Sequence, residues 1–309
     1  MSQALTIENL VKVYQSGKMA LKGISLSIAE GDFFALLGPN GAGKSTFIGI
    51  VSSLVTKTSG SVRVFGHSID DDILKAKQLI GIVPQEFNFN IFNKTIDVVV
   101  TQAGYYGVPY RQAKEQAEDC LQQLGLWDKR NDTVRSLSGG MKRRLMIARS
   151  LVHKPKLLIL DEPTAGVDIE LRRSLWVYLE KLNEQGLTVL LTTHYLEEVE
   201  ILCENVAIID NGEILVEKSV HSLLGDLTGE TLILDVDSIL PEAPKLEHFA
   251  CRLISPDSLE VDLLEHQTVN DLFQTLDAAG IRILSLRNKF NRLEELFIRL
   301  TGHTVEDTP

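Results

Sequence analysis

The sequence predicts an α/β fold that carries a helical subdomain. Apolar runs typical of strands alternate along the chain with helical patterns, and Phe33–Leu37 is apolar throughout, as expected for a strand buried on both faces. A glycine-rich loop separates this run from a helical segment at residues 45–54. Between residues 87 and 153 the alternation stops and helical patterning dominates. This order favours an α/β core interrupted by a helical subdomain at about 87–153.

The same patterns predict the elements of the core. Strands are expected at residues 5–13, 23–28, 32–37, 61–65, 79–83, 156–160, 188–192 and 206–210. A helix is expected at residues 110–124, because Ala113, Ala117, Leu121 and Leu124 recur at helical spacing.

A second, smaller domain is predicted after residue 220, where the polarity of the sequence rises. Strands are expected at residues 231–237, 248–255, 258–264 and 281–286, and helices at 268–279 and 292–300. Gly280 and Gly302 end these two helices. We therefore predict a domain at residues 1–220 and a small α+β domain at 221–309.

The composition excludes several classes of protein. The net charge of −11 argues against a general nucleic-acid binder, which needs a basic surface to displace counterions from phosphates. No apolar run approaches the about 20 residues of a membrane-spanning helix, and the N-terminus lacks the pattern of a signal peptide. Cys120, Cys203 and Cys251 are far apart, which is typical of reduced core cysteines in a cytoplasmic protein.

A phosphate-binding motif lies at residues 38–46, where GPNGAGKST matches G-x-x-x-x-G-K-[ST]. The motif follows a predicted strand and opens a predicted helix, as it must. Glycines let the backbone curl so that several N–H groups point at one spot, and the helix N-terminus adds positive potential there. The residues predicted to bind ATP in this loop are Gly38, Pro39, Asn40, Gly41, Ala42, Gly43, Lys44, Ser45 and Thr46.

Three side chains of this motif are predicted to have separate tasks. Lys44 can reach the β- and γ-phosphates, and Ser45 offers a hydroxyl to Mg²⁺. Thr46 can contact the α-phosphate side. The sequence therefore predicts ATP and Mg²⁺ as the cofactors.

Two carboxylates follow the apolar run at residues 157–160. Asp161 suits Mg²⁺, which prefers hard oxygen ligands and keeps several waters. Glu162, next along the chain, is the candidate that orients and deprotonates the attacking water. Alone, such a pair is usually a solvated strand end, but the phosphate motif upstream favours the catalytic interpretation.

The stretch LSGGM at residues 137–141, between the phosphate motif and the carboxylates, narrows the class to one family. This order of motifs resembles the ATP-binding-cassette (ABC) ATPases, whose signature is L-S-G-G-Q. The resemblance covers roughly residues 5–220. It implies a P-loop NTPase cassette with an antiparallel β subdomain and a helical subdomain.

Further residues match positions that have a role in this family. Tyr14 matches an aromatic that stacks on adenine, although a strand tyrosine packed on a neighbour is the alternative. Gln85 matches the glutamine that contacts Mg²⁺ or the attacking water. His194 matches the switch histidine at the γ-phosphate. Asp168 matches the carboxylate of the loop that crosses between partner subunits.

The signature residues Ser138, Gly139 and Gly140 imply a partner. In the family they close over ATP held by the phosphate loop of another subunit, so two cassettes bind head to tail. With one phosphate loop and one signature, this chain is expected to pair with a second copy of itself or with a related cassette. Met141 departs from the usual glutamine, which leaves the rate of turnover open.

The basic run at residues 142–144 allows two interpretations, a nucleic-acid patch or the solvated start of a helix. The second is preferred in an acidic chain, so no nucleic-acid partner is expected.

The family resemblance implies a transporter subunit whose membrane-spanning permease is another chain. No sustained heptad and no second cassette appears, as non-transport relatives would require. A non-transport ATPase acting on a soluble macromolecular machine is the alternative. The protein is then expected at the cytoplasmic face of the bacterial inner membrane, held there peripherally by the permease.

The predicted α+β domain, which ends in RLEELFIRLTG at residues 292–302, resembles the C-terminal domain of drug- and polysaccharide-exporter ATPases of the daunorubicin-resistance type, and the chain looks like an enterobacterial member of that group. Export by an ABC-2-type transporter is therefore expected. The segment 87–92 matches part of the groove that receives a permease helix, or else contributes to the core of the helical subdomain.

Overall fold

The computed structural model describes residues 2–225, 230–246, 248–264, 267–289 and 292–302. Within it the chain divides into two compact units, Met1–Lys218 and Ser219–Pro309. Each unit has its own apolar core. Residues 303–309 of the predicted C-terminal domain lie outside the described residues.

The first unit alternates strands and helices. Its strands are β1 (Gln3–Val13), β2 (Met19–Ala29), β3 (Phe33–Leu37), β4 (Ser59–Val64), β5 (His67–Ser68), β6 (Ile80–Val83), β7 (Leu157–Asp161), β8 (Thr188–Thr192), β9 (Asn205–Asp210) and β10 (Glu213–Ser219). Its helices are α1 (Lys44–Val51), α2 (Ile73–Gln78), α3 (Thr95–Tyr105), α4 (Tyr110–Gln123), α5 (Gly139–Leu151), α6 (Ile169–Glu184) and α7 (Leu196–Leu202). The α/β class predicted from the sequence is confirmed.

The strands of this unit form two sheets. The first is an antiparallel sheet with the order β2-β1-β4-β5. The second, which we call the core sheet, has the order β10-β9-β3-β8-β7-β6. In the core sheet, β3 runs parallel to β8 and β9, and β7 runs parallel to β6 and β8. Every residue of β3 and β8 is buried, which explains why β3 and the three central residues of β8 are apolar without alternation.

The parallel register brings the carboxyl ends of four strands to one edge of the sheet. The loop at residues 38–43 follows β3, and Gln85 lies two residues after β6. Asp161 ends β7, and His194 lies two residues after β8. In open parallel sheets this edge is where ligands bind.

The helical subdomain contains α3, α4 and α5. On α4 the buried side chains include Ala113, Ala117 and Leu121, which is the spacing that predicted the helix. The buried face of α5 includes Arg143, and the whole residue is only 4% exposed. The prediction that residues 142–144 form a solvated basic run is therefore wrong for Arg143, because its guanidinium bonds to backbone carbonyls.

The second unit is a four-stranded antiparallel sheet with helices. It comprises α8 (Val220–Gly225), β11 (Glu230–Val236), β12 (Ala250–Ser255), β13 (Ser258–Leu263), α9 (Val269–Ala278), β14 (Ile283–Asn288) and α10 (Arg292–Thr301), with strand order β12-β13-β11-β14. The last strand begins at residue 283 and not at 281 as predicted. Gly280 has a φ of 73° and the N–H of Ile281 bonds to the carbonyl of Leu276, so these residues close α9.

No helix among the described residues is long and apolar enough to cross a membrane.

We expect truncation of Ile159 to destabilise the first unit. Ile159 is fully buried in the centre of β7, so Ile159→Ala should lower the free energy of unfolding by about 2–5 kcal/mol. Both tryptophans, Trp127 and Trp176, lie in the first unit, so their fluorescence during urea unfolding reports on that unit alone. Val177→Ala on the exposed face of α6 is the control and should change the free energy by less than about 0.5 kcal/mol. Equal losses in both variants would contradict the assigned core.

Candidate active site

Glycines allow the loop at residues 38–43 to lie close to the backbone of neighbouring strands. A Cβ on Gly38 would lie 2.2 Å from the carbonyl oxygen of Ile209. Gly43 has a φ of 116°, and a Cβ there would lie 2.9 Å from the carbonyl oxygen of Ala20. Only glycine satisfies both constraints without moving backbone. The chain can therefore turn sharply out of β3 and enter α1, which begins at Lys44 with no side-chain cap on its first N–H groups.

The ammonium of Lys44 lies inside this loop. It donates hydrogen bonds to the carbonyls of Gly38 at 2.6 Å and Pro39 at 3.1 Å. Burial lowers the pKa of Lys44, and the nearby charges of Glu162 and Asp161 oppose that shift. The site thus sets one buried cation against two carboxylates.

Asp161 ends β7 in a half-buried position. The hydroxyl of Thr192 donates to its Oδ1 at 2.6 Å, and burial raises the pKa of the carboxyl group. Lys44 and Arg143 lower that pKa in turn, by stabilising the ionised form. A carboxylate that is costly to ionise in a half-buried site is stabilised by a bound cation.

The donors at this edge are of the kind that Mg²⁺ prefers. They are the hydroxyl of Ser45, the carboxylate of Asp161 and the side-chain oxygen of Gln85. Among the described residues no group of three His, Cys, Asp or Glu side chains could hold a metal by itself. Such a sparse set fits an ion that takes its remaining ligands from phosphate oxygens and water, as Mg²⁺ does.

Glu162 is held by contacts with two neighbouring segments, the one that contains Gln85 and the one that contains Thr192 and His194. Its backbone is left-handed, with a φ of 46°, and its N–H bonds to the carbonyl of Thr192 at 2.9 Å. Gln85 Nε2 donates to Glu162 Oε2 at 3.0 Å, and His194 Nδ1 lies 3.4 Å from the same oxygen. The structure therefore brings Glu162, which its position after a predicted strand had indicated, together with Gln85 and His194, which the family resemblance had indicated.

The contact with His194 is the main reason that the pKa of Glu162 is lowered. Charges on His194, Lys44 and Arg143 act in the same direction, whereas burial opposes them. The carboxylate is thus ionised and able to accept a proton, as a general base must be.

Tyr14 and Thr46 lie next to each other at the far end of the loop. The phenolic oxygen of Tyr14 is 3.2 Å from Thr46 Oγ1, and the ammonium of Lys12 lies 4.8 Å from the ring centroid. The side chain of Tyr14 remains exposed. Because Tyr14 is exposed and lies beside the phosphate motif, its position is compatible with the predicted contact with adenine.

The signature residues and Asp168 occur at the N-termini of two other helices. Ser138 and Gly139 are exposed, and Ser138 Oγ accepts a bond from the N–H of Met141 at 3.3 Å. Asp168 accepts from the N–H of Leu171 at 2.9 Å. In the part of the chain that the structure describes, the hydrogen bonds of both side chains stay within their own helices.

Two buried charged residues at the site were missed by sequence reasoning. Arg143 donates to the carbonyls of Pro84 and Gln85, and its pKa is lowered by burial. Glu198 is fully buried on α7, where it accepts hydrogen bonds from Thr164 and from Trp176 Nε1. A signal existed for Arg143, which shares one helical face with the apolar residues Met146 and Ile147.

The fold and the site together define a P-loop ATPase of the cassette type. The phosphate loop follows β3 of the core sheet. The acidic pair lies at the end of β7, which is separated from β3 by β8. The helical subdomain contains α5, whose N-terminus carries the signature residues.

Comparison with known proteins identifies the family. The ABC transporter family matches residues 21–165. The linearmycin resistance ATP-binding protein LnrL of Bacillus subtilis (strain 168) is 40% identical over 311 residues, covering 98% of this chain and 100% of LnrL. The daunorubicin/doxorubicin resistance ATP-binding protein DrrA of Streptomyces peucetius is 31% identical over 313 residues, covering 99% of this chain and 94% of DrrA.

A solved structure is also similar. The dimeric post-hydrolysis structure of the ATP-binding cassette MJ0796, bound to ADP and Pi, matches with a TM-score of 0.64 and 29% identity. The match covers 70% of this chain and 98% of that chain. The chain belongs to the family of ABC transporter ATP-binding proteins. It is an ATPase subunit that binds ATP and hydrolyses it to ADP and phosphate, coupled to transmembrane transport.

We expect Glu162→Gln to slow hydrolysis without abolishing ATP binding. The amide keeps the shape of the side chain but cannot accept a proton, so kcat should fall by about 10²- to 10⁴-fold. The phosphate loop is unchanged, so ATP should still bind in an equilibrium titration. Glu170→Gln, on the exposed first turn of α6, is the matched control and should turn over normally. A normal kcat in Glu162→Gln would contradict the role of Glu162 as the base.

Proposed function

We propose that this chain is the motor of an ABC-2-type exporter of the daunorubicin-resistance type, acting through a separate membrane-spanning subunit. The observation that carries the proposal is the extent of the likeness to LnrL and DrrA. Their alignments cover 98% and 99% of this chain, so they include the second unit as well as the cassette. Both relatives are named for resistance to an antibiotic, which export would provide.

The proposed division of the chain follows the same likeness. Residues 1–220 form the nucleotide-binding domain, with its helical subdomain at about 87–153, and residues 221–309 form an accessory α+β domain. Compact units at Met1–Lys218 and Ser219–Pro309 support this division.

In the proposed mechanism, the phosphate loop and Lys44 hold the triphosphate, and Tyr14 lies beside the adenine. Ser45, Asp161 and Gln85 would hold Mg²⁺, which neutralises charge on the phosphates. Gln85 and His194 orient the carboxylate of Glu162, which takes a proton from the water that attacks the γ-phosphate. His194 then lies where it can contact the γ-phosphate.

The proposed working form is a head-to-tail dimer with a second copy or a related cassette. Ser138, Gly139 and Gly140 lie at the N-terminus of α5, a position that favours phosphate. Ser138 and Gly139 are exposed and therefore accessible to a nucleotide bound by the partner, and Asp168 would lie in the loop between the two sites. The dimeric structure of MJ0796 supports this arrangement by likeness.

The permease is proposed to dock a short helix into a groove of the first unit. A cavity of about 500 Å³ lies where α3 meets α2 and β6, and Leu54, Leu74 and Tyr105 line it while largely exposed. Phe87 and Phe92 of the segment after Gln85 are also exposed, so they do not belong to the core of the helical subdomain. An apolar helix end from a membrane subunit suits such a surface. This docking would hold the chain at the cytoplasmic face of the inner membrane.

The proposed function is tested by a pull-down from detergent-solubilised membranes with tagged Glu162→Gln, ATP and Mg²⁺. We expect a polytopic membrane protein in near-stoichiometric amount, identified by mass spectrometry. Leu74→Glu, in the groove, should lose that protein while it still binds ATP. Recovery of ribosomal, repair or chromosomal proteins instead would favour the alternative, a non-transport ATPase that acts on a soluble machine.

The dimer is tested with Ser138→Arg. The long, positively charged arginine side chain would occupy the space at the N-terminus of α5. The double variant Ser138→Arg/Glu162→Gln should therefore lose the ATP-dependent dimerisation of Glu162→Gln, while each monomer still binds ATP. Gln122→Arg, exposed on α4, adds the same charge away from α5 and should dimerise normally. Size-exclusion chromatography with light scattering distinguishes the two states, and normal dimerisation of Ser138→Arg would contradict the shared site.

A further inference from the structure

Residues 84–92, which we call the Gln85 loop, are fastened to α5 by Arg143. Its Nη1 donates to the carbonyl of Pro84 and its Nη2 to the carbonyl of Gln85, both at 3.1 Å. The two donors of one planar guanidinium therefore bridge two consecutive peptide groups. The side chain is buried, so these bonds replace the water that a surface arginine would have.

Aromatic contacts strengthen the attachment. The guanidinium carbon of Arg143 lies 5.2 Å from the ring centroid of Phe87, and that of Arg149 lies 5.6 Å from the ring centroid of Phe89. The two rings stack on each other at 5.9 Å. Arg149 also donates to the side-chain oxygen of Asn88. Two arginines of one helix thus hold the central part of the Gln85 loop.

The attachment connects parts of the two nucleotide sites of the proposed dimer. Arg143 lies about one turn after the signature residues that begin α5, and the loop that it holds carries Gln85. The side chain of Gln85 in turn donates to Glu162. A lysine in this position would lack the planar guanidinium, whose two terminal nitrogens each donate to one carbonyl and whose central carbon lies over the ring of Phe87.

We propose that Arg143 is a positioning residue that holds Gln85 against Glu162 and ties the Gln85 loop to the signature helix. The inference rests on the proposed roles of Gln85 and of the signature residues, and it adds how one chain links them.

The first test compares Arg143→Lys with Lys142→Gln, its neighbour on α5. Arg143→Lys keeps the charge but replaces the planar guanidinium and its two donor nitrogens by one shorter ammonium group, so kcat of the purified full-length protein should fall about 10- to 100-fold. The KM for ATP should change by less than about threefold, because the phosphate loop is untouched. Lys142→Gln should match the wild type in both. A wild-type kcat in Arg143→Lys overturns the proposal.

A double-mutant cycle with Gln85→Ala separates positioning from a purely structural role. If Arg143 acts through Gln85, the double variant Arg143→Lys/Gln85→Ala should be no slower than the slower single variant. Losses that multiply overturn the proposal. If Gln85→Ala alone leaves kcat unchanged, the proposed role of Gln85 fails. If Gln85→Ala is slow but Arg143→Lys is not, only the inference about Arg143 fails.

Thermal unfolding of each variant shows whether it is folded. Should Arg143→Lys not fold, Phe87→Leu provides the readout, because it removes the ring beneath the guanidinium at an exposed position and leaves α5 intact. We expect a reduced kcat with an unchanged KM in Phe87→Leu. A kcat equal to that of the wild type would then overturn the proposal.

Discussion

The parallel register of the core sheet is the constraint on which the rest of the structure depends. Because β3, β6, β7 and β8 run in one direction, the loops that leave them meet at one edge of the sheet. The phosphate loop, Gln85, the acidic pair and His194 all follow these strands. The complete burial of β3 and β8 stabilises the sheet on which these loops are mounted.

The electrostatics of this edge balance burial against charge. Burial lowers the pKa of Lys44 and raises the pKa of Asp161, so it favours the neutral form of both groups. The charge of each group opposes the pKa shift of the other. Glu162 differs, because its contact with His194 lowers its pKa despite partial burial. Two adjacent carboxylates therefore have different properties, one suited to a cation and the other to accepting a proton.

The helix α5 links the signature residues to the Gln85 loop. Its N-terminus exposes the signature residues, and its buried face holds the Gln85 loop through Arg143. Other residues of the helix, Leu145, Met146 and Ile147, are fully buried. One helix thereby connects the exposed signature residues, which are proposed to face another cassette, with the interior of its own site.

The sequence alone determined the α/β class, the order of most elements and the position of the phosphate motif, because each depends on local patterns of apolar residues and glycine. It identified Glu162 from its position after an apolar run, and Gln85 and His194 only by resemblance. The tertiary structure decided that they share one carboxylate oxygen, since Gln85 and Glu162 are 77 residues apart in the chain. It also decided that Arg143 is buried, because the carbonyls that satisfy its guanidinium come from a loop 58 and 59 residues away.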